Sequence, residues 1–550
     1  MSVFTKRTLR RSGVAIAAGT AALALALTGC SAQSAPEASA PFEWKLTDQT
    51  AAPSGDIESI DWASYAEPFS LDYAYAFDYS DNQVLANMCE SLLRLNPDFS
   101  LSPGLAESFT NPEPTKWVYQ IRDGVKFHDG TVMTADDVVA SMSRHLDPEV
   151  GSSWFSVYQN VASIEKTGDL EVTVTTTIPD SQFNLGMGGV AGVVESAATL
   201  TELGADYGNS SGGVNCTGPF AFDSWKSGEA LTMKRFDEYW DKDLAAKSDT
   251  FKFVFMTDAN ARINAIKAGE VDGSWLLPMD AVRSIEAEAP GEVLFGLNTS
   301  VADLIVSNLD GPLGDVRVRQ ALLMAIDRQG ILDAAYSGVG TVSDVLTTDA
   351  VWLDADPSAK EAAFNDIQQY DFDIEAAKKL VDEAGVAGEE ITIVTAPIGQ
   401  EFAVISQATA AAAKAIGLDA KIETVTPAAY TTLFADPSAR EGSDLFFTIW
   451  YLSSPDPLEM YSVLRTGEFS NYGEWSNPEY DALITEAVST MDPIERSKLT
   501  AQAQQLTNEE LPWLPLFEIP NAAYMSDRVT GMSPSINFMY FPWAAQLGAR

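Results

Sequence analysis

Histidine and cysteine are scarce in this chain of 550 residues, which has two histidines, His128 and His145, and three cysteines. A metal centre needs several ligands in a suitable geometry, so this content does not predict one. The segment 208–212 fits the G-x-S-x-G pattern of hydrolases, but no histidine follows residue 145. No Gly-Lys dipeptide offers a phosphate-binding loop, so any use of ATP is expected in a partner. We therefore expect no catalytic residue, no metal site and no cofactor.

Positive charge is also in short supply. Lysine and arginine number 34 against 78 aspartates and glutamates, which gives a formal net charge of −44. A body this acidic repels nucleic acids and anionic membrane surfaces, which excludes proteins that bind either by charge. The acidity favours cationic ligands in principle, but it is first of all an indicator of solubility.

A hydrophobic run long enough to span a bilayer, about 20 residues, is missing. The longest apolar run, Gly13–Leu27, follows four basic residues and predicts a signal peptide over residues 1–29. The tetrapeptide that ends at Cys30 resembles a bacterial lipobox, which implies that Cys30 carries the lipid. Residues 30–55 are rich in serine, alanine and proline, and they predict a flexible tether.

The two remaining cysteines are Cys89 and Cys216. A signal peptide directs the chain to an oxidising compartment, where a disulfide between them is plausible. Spacing alone does not decide between a disulfide and two buried thiols.

Helical and strand patterns alternate between residues 373 and 450. Asp373 is a good N-cap and Gly385 a good C-terminal residue for a helix between them. The elements predicted next are a strand 391–396, a helix 402–416, a strand 418–425, a short helix 428–434 and a strand 444–450. This alternation predicts an α/β protein with a mostly parallel sheet, and ligands of such sheets bind beyond the carboxyl ends of the strands. The segment after Trp450 is therefore a candidate site.

Six sequence blocks, in order, resemble the peptide/nickel-type (family 5) solute-binding proteins of ABC importers, and among these the dipeptide- and oligopeptide-binding lipoproteins. The blocks are residues 103–108, residues 117–130 with 134–138, residues 262–272, residues 315–321 with 325–328, residues 477–481 and residues 514–517. Within the second block, Thr134 and Asp137 form a capping box that opens a helix. The resemblance that these blocks carry extends over nearly all of residues 55–530.

The resemblance implies a type II periplasmic-binding-protein fold, an α/β architecture of two lobes joined by a hinge. The first lobe is expected over residues 55–296 with 516–550, and the second over residues 297–515. Ligand would bind between the lobes and be buried when they close.

The resemblance also implies a binding strand that ends in a W-x-x-D-x-x-D-P pattern, here Trp450, Tyr451, Leu452, Ser453 and onward to Asp456. In the peptide binders of the family the first aspartate of this pattern holds the ligand's ammonium group, and this chain has Ser453 there. A hydroxyl cannot neutralise a charge, so either another acid compensates or the ligand has no free amino group there. On this alignment, Ser453→Asp is expected to tighten binding of peptides with a free amino terminus. Asp456 matches the Asp-Pro turn, for which a structural role is favoured.

The opposite wall of the cleft is expected from Glu67, Pro68 and Phe69, which resemble the family's first-lobe loop. Glu67 is equally consistent with a solvated surface acid. Asn471 and Tyr472 precede the fifth block and are candidates for residues that face the cleft. Their pattern is equally consistent with side chains packed in the protein interior.

The function expected from this resemblance is that of an extracellular solute-binding component of an ABC importer, not an enzyme. It would capture a peptide or peptide-like solute by pairing with its backbone and deliver it to membrane permease subunits served by a separate ATPase. It would work as a monomer outside the cytoplasm, anchored to the cell membrane by lipid and without nucleic acid. One alternative keeps the fold and binds an oligosaccharide through Phe446, Phe447, Trp450 and Tyr451. Another is a surface hydrolase or chaperone-like lipoprotein.

Overall fold

The structure is a computed structural model, and it describes residues 42–550. The predicted signal peptide, the lipidation at Cys30 and the first part of the predicted tether lie outside the described residues. From residue 42 onward the segment predicted as tether contacts the body, and the Phe42 and Trp44 rings pack edge-to-face on Phe295. Thr47 N donates to the Phe295 carbonyl oxygen at 2.7 Å, and Ser54 N donates to that of Ala549 at 2.8 Å.

The first lobe is built on a mixed sheet of seven strands. Their spatial order is Gly291–Gly296, Asn521–Ser526, Gly273–Trp275, Ile57–Ser64, Ser248–Phe255, Ala230–Arg235 and Phe220–Lys226. Ile57–Ser64 is parallel to both of its neighbours, and the other pairs are antiparallel. Trp62, Trp275 and Trp543 meet in the core beside this sheet, with ring centroids 4.8–5.6 Å apart.

A smaller antiparallel sheet belongs to the same lobe and shares its core. Its strands are Ala106–Glu113, Lys116–Ile121, Glu171–Thr176 and Val161–Gly168, in that spatial order. Two short ribbons complete the strands of the lobe, Leu93–Leu95 with Leu101–Pro103 and Val529–Thr530 with Gly548–Ala549. A disulfide joins Cys89 to Cys216, with their Cα atoms 4.8 Å apart.

The second lobe is built on a sheet of six strands. Their order is Thr341–Val342, Trp513–Glu518, Val301–Val306, Leu445–Trp450, Glu390–Thr395 and Asp419–Thr424. The last three strands are parallel to one another, and the others pair antiparallel. The sheet is therefore mixed, and the parallel arrangement predicted from residues 373–450 holds for the part of the sheet which that stretch builds.

Helices cover both sheets. Those of the first lobe are Tyr79–Leu85, Ala135–Ser143, Phe155–Tyr158, Phe183–Gly186, Ala197–Leu203, Ala259–Ala268 and Val282–Glu288. Those of the second lobe are Val316–Ala325, Arg328–Ala335, Pro357–Asn365, Ile374–Ala384, Gln400–Ala415, Pro427–Ala435, Leu458–Ser462, Pro478–Ser489 and Pro493–Glu510.

Local sequence signals explain where several of these helices begin and end. Asp373 caps the helix Ile374–Ala384 through a hydrogen bond from Ala376 N, and Gly385 ends it with a left-handed φ of 76°. At the predicted capping box, the Asp137 carboxylate accepts a hydrogen bond from Thr134 N at 2.8 Å.

The chain passes between the two sheets at two places, residues 297–300 and residues 519–520. The two crossings touch, because Asn298 Nδ2 donates to the Ile519 carbonyl oxygen at 3.0 Å. The first crossing follows the strand Gly291–Gly296 and precedes the strand Val301–Val306. The predicted boundary at 515/516 falls inside the strand Trp513–Glu518, which pairs within the second sheet.

Candidate functional site

A cavity of about 470 Å³ lies beside the two crossings. Sites for small ligands usually have volumes of this order. The lining comes from Tyr79, Arg262 and residues 276–280 of the first lobe, from Tyr336, residues 398–401 and Ile449 of the second, and from Asn298, Ser300 and residues 519–522 at the crossings. Both lobes therefore contribute walls to one cavity.

The topology of the sheets puts these segments together. Residues 276–280 follow the strand Gly273–Trp275, and residues 398–401 follow the strand Glu390–Thr395. Ile449 lies near the carboxyl end of the strand Leu445–Trp450, which is parallel to Glu390–Thr395. The cavity thus lies beyond the carboxyl ends of strands from both sheets, which is where ligands of open α/β sheets bind.

Three buried polar groups at the cavity have unused hydrogen-bonding capacity among residues 42–550. They are Arg262 Nε, the Tyr336 hydroxyl and Asn521 Oδ1, and the three residues are 5%, 2% and 2% exposed. Buried polar groups are normally paired because leaving one unpaired is costly. In the wall of a cavity, such groups are available to a polar ligand.

Two acids lie on another part of the wall. Glu401 is in the first turn of the helix Gln400–Ala415, and Asp280 is exposed on the first lobe. Burial raises the pKa of Glu401, and the nearby charge of Asp280 raises it further. These two carboxyl groups give this side of the cavity a negative potential.

The predicted strand residues Trp450, Tyr451 and Leu452 lie next to this cavity, and only Ile449 of the strand lines it. Trp450 packs edge-to-face on Trp513, with centroids 5.3 Å apart. The Tyr451 hydroxyl reaches across to the first lobe and donates to the Phe77 carbonyl oxygen at 3.0 Å. The lobes are therefore in contact at this strand end.

Ser453 and Ser454 both bind one carboxylate, that of Glu459. Ser453 N and Oγ donate to Glu459 Oε1 at 2.8 and 2.9 Å. Ser454 N and Oγ donate to Oε2 at 2.8 and 2.6 Å. Burial still raises the pKa of Glu459, although these four bonds oppose it. An acid thus lies beside the position where the peptide binders of the family carry aspartate, but it comes from six residues further along the chain.

This contact changes the result expected for Ser453→Asp. A new carboxylate at residue 453 would replace a donor to Glu459 with a like charge in a partly buried loop. We expect the variant to lose stability, by about 1–3 kcal/mol, and not to gain affinity for peptides. Urea denaturation and calorimetry with trialanine measure both effects. Ser453→Asp combined with Glu459→Gln relieves the repulsion and should recover most of the stability.

The predicted first-lobe wall is held by its own contacts. The Glu67 carboxylate accepts from Trp225 Nε1 and from Gly228 N, both at 2.8 Å. Pro68 is buried, whereas the Phe69 side chain is 81% exposed. None of the three lines the cavity. The Glu67 carboxylate is thus bound by groups of its own lobe, outside this cavity.

Asn471 and Tyr472 are both buried in the second lobe. Asn471 Nδ2 donates to three backbone carbonyl oxygens, the nearest being that of Trp475 at 2.7 Å. The Tyr472 ring is stacked on Trp513, with centroids 6.1 Å apart and planes inclined by 7°. In this arrangement both side chains hold the loop and the core.

Sequence reasoning missed Arg262, Asp280, Tyr336, Glu401 and Asn521 as cavity residues. Arg262 opens the third sequence block, but the pattern of that block does not indicate a ligand-binding role. No local pattern marks the other four, since they come from distant segments that only the fold brings together.

Comparison with known proteins agrees with this architecture. Residues 100–472 match the sequence model of the bacterial extracellular solute-binding proteins, family 5. The glutathione-binding protein GsiB of Escherichia coli K12 is 24% identical over 86% of this chain and 91% of its own length. Heme-binding protein A of Haemophilus influenzae is 28% identical over 93% and 95%. The periplasmic binding protein DppA of Helicobacter pylori, solved in complex with the peptide STSA, has a TM-score of 0.76 and 20% identity, with 90% of this chain and 98% of that chain covered.

The chain therefore belongs to the bacterial extracellular solute-binding proteins, family 5, because the family match covers more than half of it. It is a solute-binding component of an ABC importer, and the family is one of binding proteins, not of enzymes. Within residues 42–550, no helix combines the length and the apolar character needed to cross a membrane.

Proposed function

We propose that this protein captures a short peptide or peptide-like solute in the cavity between its lobes and delivers it, chemically unchanged, to a membrane permease. It acts as a monomer outside the cytoplasm, held at the membrane by lipid on Cys30. We place the passages of the chain between the two lobes at residues 297–300 and 519–520, so that the second lobe ends with the strand Trp513–Glu518.

The observation that carries this proposal is the cavity itself. Strands of both sheets have their carboxyl ends next to the cavity. Its wall contains buried polar groups from both lobes that have no partner among the described residues. The volume of about 470 Å³ suits a small solute better than a long chain. The relatives bind solutes of this kind, since glutathione and the peptide STSA are named for two of them.

An oligosaccharide is less well supported by the packing. Of the four aromatic residues that the sugar alternative uses, Phe446 and Phe447 are 0% and 1% exposed in the core of the second lobe. They have no free face on which a sugar ring could stack. Oligosaccharides therefore enter the test as the competing ligand class.

Thermal denaturation with defined ligands tests the proposal. A ligand at one hundred times its Kd stabilises the native state by about 2.7 kcal/mol, so a true ligand raises Tm by a measurable amount. We expect such a rise with trialanine, tetraalanine or glutathione and none with maltotriose. Mass spectrometry of the recovered peptide should show it intact.

A variant that fills the cavity provides the control. Ala259 lines the cavity and is exposed at the start of the helix Ala259–Ala268, whereas its exposed neighbour Asn260 is not part of the lining. Ala259→Trp should abolish the peptide-induced rise in Tm, and Asn260→Trp should retain it. A rise with maltotriose alone would favour the oligosaccharide alternative, and cleaved peptide would favour the hydrolase.

A further inference from the structure

Arg262 is a buried cation without a carboxylate partner among residues 42–550. The one hydrogen bond that its guanidinium makes there runs from Nη1 to the Met256 carbonyl oxygen at 3.2 Å. Burial lowers the pKa of the guanidinium, and only the hydroxyl of Tyr65 opposes that shift. Arginine in protein interiors is normally paired, because an isolated buried charge is costly.

Other buried arginines in the described chain are satisfied. Arg328 donates to the carbonyl oxygen of Tyr370 and to the Asp344 carboxylate at 2.9 Å. Arg496 forms an ion pair with Asp456 at 2.8 Å. Arg262 differs from these two in having no carboxylate partner among residues 42–550, and it lines the cavity between the lobes. A guanidinium presents a planar fork of donors that matches a carboxylate, so a ligand carboxylate would supply the missing partner.

The other charged residues of the cavity, Glu401 and Asp280, determine how a charged ligand would be oriented in it. The charge of Asp280 raises the pKa of Glu401, whereas neither acid is among the causes of the pKa shift at Arg262. The cavity therefore has a cationic part and a separate anionic part. A molecule with a carboxylate at one end and an ammonium at the other complements both, while a phosphate dianion would be repelled by the two acids.

We propose that Arg262 binds a carboxylate of the captured solute and that Glu401 with Asp280 binds its ammonium group, so that the natural solute is zwitterionic. This assignment rests on the proposed function, since it places the charged ends of the solute within the same cavity. Tyr336 and Asn521 supply a further hydroxyl and a further acceptor for its polar groups.

The test uses a tripeptide library in three chemical forms: free at both ends, amidated at the C-terminus, and acetylated at the N-terminus. Each form is mixed with the protein, and native mass spectrometry identifies the retained peptides. The wild type should retain the free form and lose affinity for each blocked form, by roughly tenfold to hundredfold per lost charged contact.

Two variants separate the two ends. Arg262→Gln should bind amidated and free tripeptides equally and still reject acetylated ones. Glu401→Gln should show the reverse pattern. Arg262→Gln should also denature at the same or a higher temperature than the wild type without ligand, because it removes an unpaired buried charge.

Retention of amidated peptides as strongly as free ones by the wild type would overturn the assignment of Arg262 and leave the proposed function intact. If Arg262→Gln still binds free tripeptides more tightly than amidated ones, the assignment of Arg262 also fails and the proposed function again stands. If the wild type retains no tripeptide in any form, the assignment and the proposed peptide ligand fail together.

Discussion

Asp303→Asn is expected to make the stability of this protein less dependent on pH and to stabilise it at neutral pH. Asp303 lies in the strand Val301–Val306, is 0% exposed, and neither of its carboxyl oxygens has a partner among the described residues. Asp303 shares a face of the strand with Ile305, which belongs to the same core as Tyr461. A charge on Asp303 would raise the pKa of the Tyr461 hydroxyl. Burial therefore raises the pKa of Asp303 well above its ordinary value.

The direction of the pH dependence follows from proton uptake. A carboxyl group whose pKa is higher in the folded than in the unfolded state binds a proton when the chain folds between the two values. Its contribution is most favourable below the unfolded pKa, which is about 3.9. As the pH rises from there towards the folded pKa, this one group lowers the free energy of unfolding by about 1.4 kcal/mol per pH unit. Asparagine does not titrate in this range, so the variant lacks this loss of unfolding free energy with rising pH.

Urea denaturation of both proteins across mildly acidic to mildly alkaline pH measures the effect. The two curves should nearly coincide at the acidic end and diverge as the pH rises, with the variant more stable. The exposed residue Asp371 provides the matched control, since Asp371→Asn should leave the wild-type profile unchanged. Parallel profiles for the wild type and Asp303→Asn would contradict a protonated Asp303 in the folded state.

Much of the fold could be predicted from local pattern. The six elements expected between residues 373 and 450 are all present, with ends shifted by a few residues at most. The helix expected over 402–416, for example, is Gln400–Ala415, and the strand expected over 391–396 is Glu390–Thr395. Such segments are predictable because periodicity and capping act between neighbours in the sequence.

The composition of the cavity could not be predicted in this way. Arg262, Tyr336, Glu401 and Asn521 become neighbours only after two sheets and two crossings are placed. Whether Arg262 has a counter-ion is a property of the folded surroundings, and nothing in the helix around it reveals that. The same holds for Glu459, since the alignment identified a missing acid at Ser453 but not the acid that binds there.

Breaking the ion pair between Asp456 and Arg496 is expected to cost the most stability of any single change considered for the site. Asp456 Oδ2 accepts from Arg496 Nε and Nη2 at 2.9 and 2.8 Å, and Oδ1 accepts from Leu458 N at 2.9 Å. The two residues are 8% and 7% exposed. The pair ties the loop that follows the strand Leu445–Trp450 to the helix Pro493–Glu510, in agreement with the structural role favoured by the sequence.

Asp456→Asn should lower the free energy of unfolding by about 3–5 kcal/mol, because Arg496 is then buried without a counter-ion. The double variant Asp456→Leu/Arg496→Met removes both charges and should be the more stable of the two, since no uncompensated charge remains. Urea denaturation of these variants with Asp371→Asn as the surface control completes the comparison. A free energy of unfolding of Asp456→Asn within about 1 kcal/mol of the wild-type value would be typical of an exposed ion pair. That result would show that the ion pair does not hold the loop.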